Sequence, residues 1–299
     1  MKIYELSKIP GIGNEPPKEP DYEAIFASGY SAGYEDGYAS VPCYKNQYFT
    51  IEMTTSGAVC PHVPTNESLE YRVNGSEWSV FTSARTITVN MEAGDIMEFR
   101  GENEYMWGLF ECQPTNPEYP DAISGSFITY GNVMSLFYGD GFKGKTAFPT
   151  SGNGVLQGLF VRSQVTDASN LVLPATDLGE LAYESMFQYC DGLVYAPELP
   201  ATGLSNSCYS SMFRGTAIET APELPAATLV ASSYHRMFMD CTNINKIKCL
   251  ATDISANSCL SKWTLNVSST GTFVKAPGMN DWPSGTSGIP EGWTVVDAS

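Results

Sequence analysis

One stretch of the sequence matches a pattern associated with nucleotide chemistry. Residues 139–146, GDGFKGKT, fit the phosphate-binding string GxxxxGK[ST]. That chemistry needs a buried strand before the loop and a helix after it, because the N–H groups of the helix N-terminus hold the phosphate. Pro149 follows three residues later, and Gly152 and Gly154 come next, so a helix is not expected there. We interpret the string as a glycine-rich turn and expect no cofactor.

Cysteine and histidine supply few options for metal or nucleophilic chemistry. The eight cysteines include no CxxC pair, and the two histidines, His62 and His235, lie far apart. A zinc site is therefore not predicted, and no nucleophile motif such as GxSxG is present. We expect no enzyme, with no catalytic, cofactor-binding or metal-binding residue. Disulfides stay open, as does an acidic pair for glycan hydrolysis among the 33 Asp and Glu residues.

Charge and hydropathy exclude two classes of partner. The 299 residues carry 16 Lys+Arg against 33 Asp+Glu, a formal charge of −17. Such a chain repels phosphate backbones, so no nucleic acid partner is expected. No run of about 18 apolar residues occurs, so no membrane span is predicted. The first 20 residues lack the apolar core of a signal peptide; either the protein is not secreted by that route or the sequence omits the signal.

Internal repetition is the dominant pattern. Residues 183–202, 209–228 and 234–252 share the form Tyr-x-x-Met-Phe, and Phe187, Phe213 and Phe238 are spaced by 26 and 25 residues. Looser copies place Phe137 and Phe160 upstream and Trp263 downstream, which gives about five units over residues 133–265. This period predicts a solenoid whose coils each hold a short strand, a turn and one helical turn at Tyr-x-x-Met-Phe. The phenylalanines should then stack as a shared core.

The repeat Y-x-x-M-F-x-x-C-x-x-L-x-x-x-P-x-L-P-A-T resembles the BspA-like leucine-rich repeats. These occur in surface proteins of gut Bacteroidetes and oral bacteria and in their phages. The resemblance covers roughly residues 130–298, including the closing segment TGTFVKAPGMNDWPSGTSGIPEGWTV. It implies a right-handed solenoid used for adhesion or recognition, and it brings no catalytic residues.

The segment before the repeats has the sequence pattern of a β-rich module. Residues 45–112 alternate apolar and polar side chains, as half-buried strands do. Asn74-Gly75 is a strong hairpin signal, and residues 92–95 mark a second turn. Several short strands with tight turns predict a small β-sandwich. Residues 113–125 are a proline-rich connector.

The N-terminal segment carries a periodic glycine and tyrosine pattern. Its glycines recur every fourth residue and each is followed by a tyrosine, which places the two types on neighbouring stripes of a helix. We expect these residues to anchor or assemble the protein; a flexible tether is the alternative. The residues are Gly29, Tyr30, Gly33, Tyr34, Gly37 and Tyr38.

These segments together predict a mixed β/α fold. It comprises an N-terminal anchoring arm (residues 1–44), a β-sandwich module (45–125), a leucine-rich-repeat solenoid (126–265) and a C-terminal β cap (266–299). The cap is expected to hold strands around residues 272–275 and 292–296.

The predicted function is recognition or adhesion without catalysis. Tyr209 and Tyr234 keep the repeat phase and should be half-buried, whereas Tyr189 and Tyr195 vary and are candidates for a ligand surface. We expect a phage virion component, such as a head or tail fibre or a decoration protein, displayed on the virion surface. Its arm would join other assembly proteins, its solenoid would bind a host protein or glycan, and it would form a homo-oligomer. A bacterial cell-surface adhesin and a glycan hydrolase are the alternatives.

Overall fold

The computed structural model describes residues 43–65, 67–81, 87–112 and 121–299, and these contain twelve strands in three sheets. One α-helix of four residues, α1 (Ser135–Tyr138), and two 3-10 turns, Tyr44–Asn46 and Gly139–Phe142, complete the regular elements of these residues. The strands are β1 Phe49–Met53, β2 Gly57–Val59, β3 Leu69–Val73, β4 Ser79–Phe81, β5 Val89–Met91, β6 Ile96–Arg100, β7 Ile123–Ser124, β8 Phe127–Asn132, β9 Val165–Val172, β10 Lys246–Cys249, β11 Thr272–Lys275 and β12 Thr294–Asp297.

The largest sheet has the order β4-β3-β6-β1-β8-β9. Its neighbours are antiparallel except for β8 and β9, which run parallel. Phe49, Ile51 and Met53 of β1 are buried while Glu52 is partly exposed, as the period-two alternation of a strand requires. The buried face therefore meets the core, and the opposite face, called here the outer face, carries Glu52 and its neighbours toward solvent.

Two smaller sheets lie at other places along the chain. Strands β5-β2-β7 form an antiparallel sheet. Strands β10-β11-β12 form a parallel sheet, in which Lys246 pairs with Thr272 and Thr272 pairs with Thr294. Parallel neighbours need a connection that returns the chain to the same end, and residues 250–271 and 276–293 provide the two connections of this sheet.

Five segments of the repeat region pack on one another: residues 155–163, 181–190, 207–216, 232–241 and 258–266, called here the stacked segments. Ring centroids of Phe160 and Phe187 lie 5.5 Å apart, those of Phe187 and Phe213 5.7 Å, and those of Phe213 and Phe238 5.9 Å. The ring planes of the last two pairs are nearly parallel, with interplanar angles of 3° and 5°. All four side chains are fully buried. A second column, Tyr183–Tyr209–Tyr234, runs beside them at 5.9 and 6.0 Å and is buried as well, rather than half-buried as expected.

Backbone hydrogen bonds within the stacked segments alternate between two partners. In one segment the N–H groups of Ser211 and Phe213 donate to carbonyls of the next segment, those of His235 and Met237. The intervening N–H of Met212 donates back to Tyr209 within its own segment. Every second amide thus ties neighbouring segments together, and the others close local turns, so that the buried backbone is satisfied.

The Tyr-x-x-Met-Phe stretches are not helical, which corrects the sequence interpretation. In the last three stacked segments every fourth residue takes a left-handed conformation, with φ of 57° at Ser211, 54° at Arg236 and 56° at Lys262. A right-handed helix cannot contain such residues. The full set in the last three segments is Ser207, Ser211, Gly215, Ser232, Arg236, Asp240, Ser258, Lys262 and Asn266.

The prediction of a β-sandwich followed by a leucine-rich-repeat solenoid with a C-terminal β cap is wrong. The described residues form several small sheets with one short helix, and the six-stranded sheet takes β8 and β9 from the region predicted as solenoid. Between β9 and β10 the extended stretches of the repeats pair through isolated bridges and form no strand ladder; the bridges include Asp167 with Tyr195 and Thr220 with Lys246. The physical reason is the proline content of these stretches, since proline cannot donate to a strand ladder. These prolines are Pro197, Pro200, Pro222 and Pro225.

Cysteines serve as packing residues in the repeat region. The five cysteines of this region are buried free thiols: Cys190, Cys208, Cys241, Cys249 and Cys259. The Sγ atoms of Cys190 and Cys241 donate to the carbonyls of Phe160 and Phe213, each at 2.9 Å. Burial raises the pKa of Cys190 to about 12 and that of Cys241 to about 11, so both thiols are protonated at neutral pH and act as donors.

Removing one ring from the phenylalanine column should destabilise the protein strongly. Phe213→Ala leaves a cavity between two stacked rings and should lower the free energy of unfolding by about 3–5 kcal/mol. Urea unfolding followed by tryptophan fluorescence measures this loss. Val296→Ala, at a 41% exposed position, is the control and should change stability by about 0.5 kcal/mol or less. Equal stability of the two variants would contradict the role of the column.

The left-handed positions can be tested with paired glycine variants. Lys262 is exposed with φ of 56°, whereas its neighbour Ser261 is not left-handed. Glycine removes a strain of roughly 1 kcal/mol at a left-handed position but costs about 0.5–1 kcal/mol of backbone entropy elsewhere. Lys262→Gly should therefore keep or raise the melting temperature, and Ser261→Gly should lower it. The reverse order would show that the left-handed geometry is not present in solution.

Candidate recognition surface

Tyr195 is the most exposed large apolar side chain among the described residues. Its exposed fraction is 60%, and the adjacent Val194 is 38% exposed. The backbone beneath them is fixed, because Val194 N–H donates to the carbonyl of Thr166 and Tyr195 carbonyl accepts from Ala168 N–H. An aromatic ring on a fixed backbone is thus presented to solvent, and ligand binding by Tyr195 stays a prediction.

Tyr195 borders a shallow depression, called here the Tyr195 depression. Its volume is about 360 Å³, and three successive parts of the chain contribute to it. Ser169 comes from β9, Val194 and Tyr195 from the next repeat, and Glu219 and Pro222 from the one after. The depression therefore exists only because neighbouring repeats are held in register.

Tyr189, the second predicted ligand residue, has a different environment. It is only partly exposed, and the guanidinium groups of Arg162 and Arg214 each lie 5.1 Å from its ring centroid. Arg214 in turn pairs with Asp240 at 3.3 Å. The ring is thus already engaged in cation–π contacts between stacked segments, and ligand binding by Tyr189 stays a prediction.

The predicted anchoring residues lie outside the described part of the chain. This holds for Gly29, Tyr30, Gly33, Tyr34, Gly37 and Tyr38.

A depression on the outer face of the six-stranded sheet was not predicted from the sequence. It measures about 280 Å³ and is called here the Tyr130 depression. Tyr44 and Tyr130 form its aromatic wall, with ring centroids 5.4 Å apart in an edge-to-face arrangement. Burial, together with the hydrogen bond and charge of Glu52, raises the pKa of the Tyr130 hydroxyl. The polar side chains that line it are Gln47, Glu52, Asp167 and Asn170.

A second cluster on the same sheet is built around Trp78. The guanidinium groups of Arg72 and Arg100 lie 4.8 and 4.2 Å from its ring. Arg100 bonds Asp140 at 2.7 Å, and the Tyr48 hydroxyl donates to the same carboxylate at 2.6 Å. Each charge has a partner inside the cluster, so we assign it a structural role in joining β3, β6 and the 3-10 turn that holds Asp140.

A 3-10 turn and ring contacts surround the chemistry-bearing motifs of the sequence. Residues 139–142 of the P-loop-like string form a 3-10 turn directly after α1, and Lys145 Nζ lies 4.8 Å from the Tyr138 ring. His62 packs edge-on against Trp107 at 5.2 Å. Burial lowers the pKa of His235, with Arg236 and Lys262 adding to the effect. In the described residues, no group of three or more His, Cys, Asp or Glu side chains is arranged to hold a metal ion.

No family model, curated protein or solved structure matches this chain. Within the ranges that the structure describes, no helix has the length and apolar character needed to cross a membrane.

The Trp78 cluster predicts a specific acid dependence of stability. The bonds from Tyr48 and Arg100 lower the pKa of Asp140, so this carboxylate stabilises the fold above the unfolded-state pKa of about 4 and the contribution disappears as the pH falls through the lower folded-state value. Asp140→Asn removes that contribution. We expect its urea midpoint to fall less between pH 6 and pH 2 than that of the unmodified protein.

The matched control is Asp281→Asn, which removes an exposed carboxylate outside the cluster. It should retain the full acid dependence. Identical pH profiles for Asp140→Asn and the unmodified protein would contradict the assigned ion pair.

Proposed function

We propose that this protein is a non-enzymatic recognition protein that contacts its target through the surface around Tyr195. The observation that supports this most directly is the exposure of Tyr195 and Val194 on a backbone fixed by hydrogen bonds to β9. Exposed aromatic side chains with few rotatable bonds give contact area at a low cost in entropy. The target would be a host surface protein or glycan.

The stacked segments favour this use because they are rigid. Four buried rings and alternating hydrogen bonds connect successive segments. A rigid scaffold lowers the entropy that binding must overcome. The surface around Tyr195 is therefore preorganised for ligand binding.

The chemistry of the buried thiols supports a role without catalysis. The thiolate is the nucleophilic form of cysteine, and burial raises the pKa of Cys190, Cys208 and Cys249 to about 12. These thiols therefore stay protonated at neutral pH. They are suited to packing rather than to attack on a substrate.

We also propose that the protein is attached to a larger assembly, such as a virion. The glycine and tyrosine pattern of residues 29–38 supports this attachment. Four-residue spacing of glycine would let another backbone approach closely. The N-terminal arm would attach the protein to the assembly, and the Tyr195 surface would contact the host.

A cell-labelling experiment tests the recognition surface. The full chain, labelled with a fluorophore, should bind a subset of gut bacterial isolates in flow cytometry. Tyr195→Ala should lower this binding at least tenfold, because it removes the exposed ring at the centre of the surface. Tyr105→Ala, at a 39% exposed tyrosine elsewhere, should bind as the unmodified protein does.

Two outcomes would overturn the proposal. One is cell binding that Tyr195→Ala leaves unchanged or that is absent from every isolate. The other is release of reducing sugar from the same cells, which would make the protein a glycan hydrolase.

A further inference from the structure

The Tyr130 and Tyr195 depressions meet at strand β9. Asp167 and Asn170 line the first and Ser169 lines the second. Asp167 is also the bridge partner of Tyr195, and Asp167 pairs with Ile128 on the other side. One short stretch of β9 therefore contributes to both depressions.

An irregularity in β9 creates this arrangement. Ile128 pairs with Asp167 and Tyr130 pairs with Asn170, so two steps along β8 match three steps along β9. A regular strand would turn Asp167 and Asn170 to opposite faces, but the extra residue turns both to the outer face. The bulge is held in place by the Asp167 carboxylate, which accepts the N–H of Ser169 at 2.7 Å.

The same pairing aligns side chains from four parts of the chain in one row. Glu52 on β1 pairs with Ile128 on β8, Ile128 with Asp167 on β9, and Asp167 with Tyr195. Residues that pair directly across neighbouring strands lie on the same face. The outer face is therefore continuous from the Tyr130 depression to Tyr195.

The composition of this surface selects a class of ligand. Tyr44, Tyr130 and Tyr195 offer ring faces and edges, while Gln47 and Asn170 offer amide donors and acceptors. Aromatic rings beside amides and carboxylates suit a ligand that has both apolar C–H faces and many hydroxyl groups.

The charge of the lining narrows this class. Glu52, Asp167 and Glu219 are acidic, and neither lysine nor arginine lines the two depressions. Like charges across an interface oppose binding, so sulfated, phosphorylated or uronic-acid sugars are disfavoured. The ligand that fits is an uncharged saccharide.

We propose that the outer face from Tyr130 to Tyr195 binds a neutral linear oligosaccharide. The inference rests on the proposed recognition function and names the ligand of the same surface. The Tyr130 depression would hold one sugar ring against the aromatic wall. The chain of sugars would then cross the β9 bulge and end on Tyr195.

Strand geometry sets the length of this ligand. Tyr130 and Tyr195 are separated by two strand spacings across the sheet and by three residues along β9. These steps correspond to about 14 Å, which roughly three linked sugar rings would cover. A single ring can occupy only the Tyr130 end.

The experiment measures chain-length dependence. Calorimetric titrations use the full protein with malto-, cello-, manno- and galacto-oligosaccharides of one to four units. At least one series should bind, and its Kd should fall at least tenfold from the monosaccharide to the trisaccharide. Tyr195→Ala should remove this gain and leave monosaccharide binding intact, whereas Tyr130→Ala should weaken every member of the series.

Two controls keep the test decisive. Tyr105→Ala should bind as the unmodified protein does, and Asn170→Ala replaces Tyr130→Ala if the melting temperature shows that the latter is unfolded. Absence of binding in all four series, or binding that Tyr130→Ala or Asn170→Ala and Tyr195→Ala leave unchanged, would overturn the inference. If Tyr195→Ala still abolishes cell labelling while no saccharide binds, the recognition function stands and the inference of a neutral oligosaccharide ligand falls.

Discussion

Stacking of aromatic rings that recur every 25 to 27 residues is the interaction on which the repeat region depends. The column Phe160–Phe187–Phe213–Phe238 continues to Trp263 at one end, 6.0 Å from Phe238. At the other end Phe160 stacks on Phe110 at 5.6 Å, and Phe110 contacts Phe49 of β1. The rings therefore join the repeat region to the core of the six-stranded sheet, and no single repeat could bury its own ring.

The backbone has to adapt to this column. Neighbouring segments approach closely enough to exchange hydrogen bonds at every second residue, and the remaining amides close turns within each segment. In the last three segments a left-handed residue stands at every fourth position, with φ of 54° at Arg236 and 66° at Asp240. The strain of these residues is tolerated because cross-segment bonds and buried rings fix the conformation around them.

The surface proposed for recognition is a consequence of where the sheet and the repeats join. Strand β9 pairs in parallel with β8 on one side and bridges to Tyr195 on the other. The bulge at residues 167–170 turns polar side chains outward at this junction. A binding surface at the junction has the rigidity of the sheet on one side and the exposed aromatic of the repeats on the other.

The sequence by itself determined the period of the repeats and the stacking of Phe160, Phe187, Phe213 and Phe238, because these follow from residue type and spacing. Phe137, expected in the same column, contacts Phe148 instead. The sequence did not determine the conformation between the rings: an i, i+3 pattern fits a helical turn, and Ser211, Arg236 and Lys262 are residue types that do not signal a left-handed backbone. The Tyr130 depression could not be predicted from the sequence either. Tyr44, Glu52 and Asn170, which line it, are far apart in the chain and come together only through sheet pairing. Strand register and the β9 bulge are set by long-range packing, and that is what only the tertiary structure decided.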